Sequence, residues 1–128
     1  MNFFDAVLKK EGEDLIVDAG IFKVTIPPMF KERYDKYAGR EIVFGIRPEN
    51  IHDPNYQPAD TVTALVEANV DVVELMGNEM IVYFQLDGKT FLGRLDPRTD
   101  ARVGMKMSAA FDMANIHLFD AKTDETLY

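Results

Sequence analysis

Val62, Ala64, Val66, Ala68, Val70 and Val72 occupy every even position of one stretch, and Thr63, Glu67, Asn69 and Asp71 sit between them. Only Leu65 breaks the alternation. A two-residue period is the mark of a strand with one buried face, and a helix cannot produce it. The stretch is longer than the usual strand of about 5–6 residues. It is therefore expected to bend or to serve two sheets. Val72 and Val73 are adjacent and apolar, which places a register-flipping β-bulge between them. Long bent strands build the corners of small barrels, so this one feature points the whole chain toward antiparallel β structure.

The remaining segments agree. Residues 3–26 read as three short strands. Phe4, Ala6 and Leu8 alternate with polar or partly polar neighbours, Leu15-Ile16-Val17 follow a polar turn, and Phe22, Val24 and Ile26 precede Pro27-Pro28. Phe30, Tyr34 and Tyr37 fall at helical spacing and predict a short helix over 29–38, with Gly39 as its stop. Residues 52–58 hold two prolines and no period, a loop with nothing to bury. Met80 to Leu95 read as a hairpin about Asp87-Gly88, and Met105, Met107, Ala109 and Phe111 share one face of a further strand. Ile116, Leu118 and Phe119 make the last one. The expected class is mainly β, with small antiparallel OB-like barrels and one short helix.

At the centre lies Phe44-Gly45-Ile46-Arg47-Pro48-Glu49-Asn50-Ile51. Ile42, Phe44 and Ile46 form a buried strand. Pro48 has no N–H for a ladder and holds Arg47 extended, so the strand ends at Arg47 and a turn runs through Glu49 and Asn50. Gly45 marks a place where a ring or backbone comes close. Arg47 and Glu49 flank the proline, placed to pin the corner through local hydrogen bonds.

Gly45-Ile46-Arg47-Pro48-Glu49 resembles the strand-and-turn motif in the C-terminal TOBE domain of ATP-binding subunits of maltose-type carbohydrate ABC importers. Glu74-Leu75-Met76-Gly77-Asn78-Glu79 matches a second segment, and Ile116-His117-Leu118-Phe119-Asp120 with Thr123, Asp124 and Leu127 a third. The opening Met1-Asn2-Phe3-Phe4 is similar to the junction with the nucleotide-binding domain. The family carries a glycine in its last turn where this chain has Asp124-Glu125. The resemblance implies a regulatory and dimerisation domain, residues 1–128, built from OB-like or MOP-like barrels, with two intertwined OB-like subunits as one form. It implies a fragment of a longer ATPase subunit that binds ATP and Mg elsewhere. It also implies pairing with a second copy, contact with transmembrane subunits through the parent chain, a regulatory protein in some members, and a cytoplasmic place at the inner face of the membrane. Gly45, Arg47, Pro48, Glu49, Gly77 and Asn78 are the motif residues expected to carry interaction or structure.

Composition limits the rivals. The chain has 14 Lys and Arg against 22 Asp and Glu, a net charge of −8, and offers nucleic acid no basic groove for stacking aromatics such as Phe3, Phe4, Tyr56 and Tyr83. Zero cysteines exclude disulfides and thiolate metal sites. His52 and His117 lack a second ligand at i+3 or i+4. Gly88-Lys89-Thr90 has Tyr83 where a phosphate loop needs its first glycine, and a strand follows it. Ser108, the one serine, sits in a strand pattern. These residues predict no catalytic, cofactor or metal site in this segment. Met105 and Met107 read as core, whereas Met29, Met76 and Met113 lie near turns and are expected at the surface as adaptable partner contacts. Two rivals remain: an oxyanion-binding domain of an ABC ATPase, and a stand-alone OB-type module.

Overall fold

The computed structural model describes residues 1–128. Ten strands form two five-stranded antiparallel sheets. The first sheet holds β1 (Asn2–Glu11), β2 (Asp14–Asp18), β3 (Lys23–Thr25), β4 (Glu41–Ile46) and β10 (His117–Asp120), in the order β10-β4-β1-β2-β3. The second holds β5 (Ile51–His52), β6 (Thr63–Met76), β7 (Glu79–Leu86), β8 (Lys89–Leu95) and β9 (Lys106–Asp112), in the order β5-β9-β6-β7-β8. One helix, α1 (Pro28–Tyr34), tightens into a 3-10 turn at Asp35–Tyr37. The helical spacing of 29–38 is thus confirmed, but its final turn is 3-10, a frequent way for a short helix to end.

The sheets close on one shared core of 27 buried residues. Phe4, Phe22 and Phe44 come from the first sheet and its connections; Phe84, Phe91 and Phe111 come from the second. Phe44 stacks on Phe111 at 6.2 Å, and Phe4 meets Phe91 edge-on at 5.5 Å. Such pairs add about 0.5–1.5 kcal/mol beyond their buried area, so the aromatic contacts across the gap fasten sheet to sheet. Phe4, whose strand period placed it with Ala6 and Leu8 and which was also named as a candidate for surface stacking, is central to this core. It lies on the inward-facing row of β1, with Ala6 and Leu8.

Of the two expected forms, β6 is not shared between sheets: it stays within one, pairing with β9 over Thr63–Asn69 and with β7 over Asn69–Met76, and its bulge sits a residue or two earlier than expected. The register slips between Val70 and Val72, so Asp71, not Val72 or Val73, is the bulged residue. A charged residue can leave the ladder for solvent at little cost. The slip keeps Val70 beside Phe84 and brings Val73 beside Val82, so both apolar rows still face inward.

Met113 is buried, not exposed, because it sits in the 3-10 turn after β9 that folds against β6. The 52–58 loop is also less bare than its composition suggests. His52 extends β5 along β9, and the buried Asp53 carboxylate accepts the Asn55 N–H at 3.0 Å, capping the turn Pro54–Tyr56.

Candidate interaction site

The stretch Arg47–Asn50 is where the chain leaves the first sheet and enters the second. β4 ends at Ile46, Arg47 is extended at φ −79° and ψ 149°, and Pro48–Asn50 form one 3-10 turn before β5 begins at Ile51. Ile46 and Ile51 are fully buried on either side. The Asn50 N–H donates to the Arg47 carbonyl at 2.9 Å. That backbone bond, with the fixed φ of proline, holds the corner. The expected side-chain pinning is absent: neither Arg47 nor Glu49 has a hydrogen-bond or ion-pair partner, and both are exposed. A carboxylate two residues from the cation, across a 3-10 turn, projects into water instead of back along the strand.

Gly45 behaves as its missing side chain suggests. It pairs with Phe3 in β1 and His117 in β10. A Cβ there would lie 2.7 Å from the Met1 sulfur and 3.0 Å from Cε2 of Phe119. The glycine lets these groups close over the outer face of the first sheet. Phe3 and Phe119 meet edge-on at 6.0 Å, and His117 stacks on Phe119 at 6.3 Å. A shallow cleft of about 310 Å³ opens between Phe3, Val43, Phe119 and Asp124. Phe3 remains 49% exposed and Met1 42%. Burial lowers the His117 pKa, and the nearby Arg47 guanidinium lowers it further, so the ring favours its neutral form.

Gly77 and Asn78 lie elsewhere, at the tip of the β6–β7 hairpin in the second sheet. Gly77 has φ +63° while Asn78 stays negative, the pattern of a type II′ turn, which needs glycine first. The motif residues therefore form two groups. Gly45, Arg47, Pro48 and Glu49 share the crossover corner, and Gly77 with Asn78 shapes a separate hairpin. Gly88-Lys89-Thr90 forms the Asp87-Gly88 turn and the start of β8, with the Lys89 ammonium 5.5 Å from the Phe4 ring centre.

A family model described as the MalK OB fold domain matches residues 1–51, and the TOBE domain model matches residues 44–119. The chain belongs to the TOBE domain family. The two matches overlap at residues 44–51, which is the crossover between the sheets. The TOBE domain is 36% identical over 126 residues to the oligosaccharides import ATP-binding protein MsmX of Bacillus subtilis (strain 168), covering 97% of this chain and 33% of that protein. It is 37% identical over 131 residues to the trehalose/maltose import ATP-binding protein MalK of Thermococcus litoralis, covering 100% of this chain and 34% of that protein. The chain thus spans about a third of the length of the curated relatives it matches. Among solved structures, the cytoplasmic molybdate-binding protein ModG, with molybdate bound, superposes at a TM-score of 0.66 with 16% identity. That match covers 91% of this chain and 94% of the other and shows a shared fold. The resemblance read from the sequence motifs is borne out.

Asn2, Gly93 and Leu75 escaped the sequence reading. Asn2 bonds to Leu92 in the other sheet. Gly93 leaves room for Phe84 and Ile51, since a Cβ there would lie 2.9 Å from Cε2 of Phe84 and 3.1 Å from Cγ2 of Ile51. Leu75 stands exposed at the hairpin tip beside Met76, which was expected at the surface. A lone glycine in a strand pattern was the available signal for Gly93; Asn2 carried none.

Proposed function

We propose that this TOBE domain is a non-catalytic regulatory and pairing module of the ATP-binding subunit of a sugar importer. The observation that carries the reading is the match along the whole chain to about a third of such subunits. In the parent chain the remaining part binds ATP and Mg, and the assembled subunit sits at the inner face of the membrane against transmembrane partners. The domain acts through contacts: a second copy, or a regulatory protein, shifts the balance between open and closed ATP sites. Accessory domains that stay paired hold two subunits at high effective concentration while the ATP sites are open. Gly45, Arg47, Pro48 and Glu49 shape the face beside the crossover, and Gly77 with Asn78 shapes the hairpin. The test is ultracentrifugation of the parent subunit with and without this domain, at matched ATP. Removal is expected to weaken pairing while ATP binding persists. Loss of ATP binding in a folded remainder would overturn the contact-only account.

A second reading, oxyanion binding, draws on the fold shared with a molybdate-binding protein. Against it, the largest cleft presents Asp5, Asp18 and Glu41 beside a single Lys9, a setting that repels anions. Titration with molybdate, tungstate and sulfate separates the readings, because an oxyanion site would raise the melting temperature with saturation.

A further inference from the structure

Since β9 and β7 flank β6 on opposite sides, each half of β6 has one unpartnered edge. On the β9 side the pairing stops early. The Val70 N–H donates to the Met105 carbonyl and the Gly104 N–H to the Val70 carbonyl, and past Val70 nothing follows along that edge. The two-residue turn at Gly77-Asn78 fixes the alternation beyond the bulge. Met76 and Glu79 close the hairpin as a hydrogen-bonded pair, so Leu75 and Val73 are the non-hydrogen-bonded residues of the β6–β7 ladder. Their N–H and C=O groups point away from β7, at the open edge.

Several other edges are covered or short: Asn2 covers β8 at Leu92, Thr126 bridges to Phe119 of β10, and β3 and β5 are only three and two residues long. The β6 edge has none of these protections, and neither lysine nor proline interrupts it. It carries exposed apolar side chains instead: Val72 at 40%, Leu75 at 70% and Met76 at 59%. Its charges are Asp71 and Glu74, and neither has an ion-pair partner. A second copy would bring the same carboxylates and a net charge of −8 against them, and like charges across strands are unfavourable.

We propose that the free edge of β6 at Val73–Leu75 receives an extended cationic strand from another protein, by β-augmentation. The incoming strand alternates. Apolar residues lie on the face of Val73 and Leu75, where Leu75 overhangs the core, and a lysine or arginine lies on the face of Glu74. Main-chain bonds to Val73 and Leu75 supply affinity, and Glu74 with Asp71 selects the cation. The edge lies wholly within this domain, so the inference goes beyond the pairing role above and does not depend on it.

The probe is a blocked heptapeptide alternating valine and lysine, titrated into the 128-residue chain at low salt and followed by NMR amide exchange. Protection is expected at the Val73 and Leu75 amides, with affinity that falls as salt rises. Glu74→Lys is expected to weaken binding by about tenfold, with the fold intact because the residue is exposed. Leu75→Pro removes one edge donor and should abolish protection at Val73; if that variant unfolds, the Glu74→Lys result decides. Equal binding of the valine–glutamate peptide would overturn the proposal. So would protection that grows with chain concentration in the absence of peptide, which would assign the edge to a second copy, or a peptide that leaves both amides unprotected.

Discussion

The Asn2 side chain donates to the Leu92 carbonyl at 2.8 Å and accepts from the Leu92 N–H at 2.9 Å, so one amide replaces a whole strand residue at the edge of β8. The bonds join β1 of the first sheet to β8 of the second, across 90 positions of sequence. Below this clasp lie Phe4 and Phe91, the edge-on pair at the centre of the shared core. Asn2→Ala leaves the Leu92 groups without protein partners and is expected to cost about 1–3 kcal/mol. Asn2→Asp keeps the shape but sets an oxygen against the Leu92 carbonyl, so it should cost at least as much. Urea denaturation gives the stability, and faster exchange of the Leu92 amide reports the opened edge. An unchanged midpoint would mean that water replaces the clasp in full.

Gly45 and Gly93 both admit close neighbours, but the neighbours differ in freedom. A methyl at Gly45 meets the end of the exposed Met1 side chain first, and that end can swing aside. A methyl at Gly93 meets Phe84 and Ile51, both fully buried. Overpacking in a filled core costs roughly 1–3 kcal/mol, so Gly93→Ala should be much the more damaging of the two. Paired denaturation curves test the order. Equal costs would show that the Phe119 ring, not Met1, sets the limit at Gly45.

What could be read in advance divides along physical lines. Strand periods and the stop at Pro48 are local, and they predicted β1 through β4, the crossover and the β7–β8 hairpin. The bulge at Asp71 was misplaced by a residue or two, because adjacent valines and a lone aspartate both explain a change of face. Met113 and Asp53 were misread because turns look exposed until the element packed over them is known. The motif around Gly45 was legible as a motif. The roles of Arg47 and Glu49 were not, since their side chains make no hydrogen bond or ion pair within the chain. The Asn2 clasp depends on a partner 90 residues away, and nothing near Asn2 announces it.

Left-handed backbone gives a pair of opposite expectations. Gly77 sits at φ +63° in open space, so Gly77→Ala adds strain without a clash, about 1 kcal/mol. Asp124 holds φ +59° in the last turn, where Asp124-Glu125 stands in place of the family's glycine-containing pair. Its N–H donates to the Asp120 carbonyl at 2.9 Å, which fixes that conformation. Asp124→Gly should relieve the strain and, after the added freedom of the unfolded chain, stabilise the domain by up to about 1 kcal/mol. Thermal melts of both variants are decisive. A destabilised Asp124→Gly would mean that the carboxylate contributes more to the turn than its backbone strain costs.

The two histidines and the bound carboxylates predict an acid loss in two stages. Burial lowers the pKa of His52, opposed by the Asp112 carboxylate, and burial together with the Arg47 cation lowers that of His117. Each ring therefore binds its proton more readily in the unfolded chain. Their contribution is fully present above about pH 6.5, the unfolded value, and is lost as pH falls through the lower folded values. Asp96 and Asp120 act in a later window. Arg98 draws the Asp96 pKa down to about 2, and the backbone N–H groups of Lys122 and Thr123 hold that of Asp120 low. Their contribution persists above the unfolded value of 3.8 and disappears as pH falls toward the folded one. Melting temperature should thus decline below neutrality, level, and decline again in strong acid. His52→Gln and His117→Gln together should flatten the first decline and leave the second. Arg47→Gln should raise the His117 pKa, read from its ring proton shifts. An unmoved His117 titration would show that solvent screens Arg47 from the ring, and would leave burial as the sole cause.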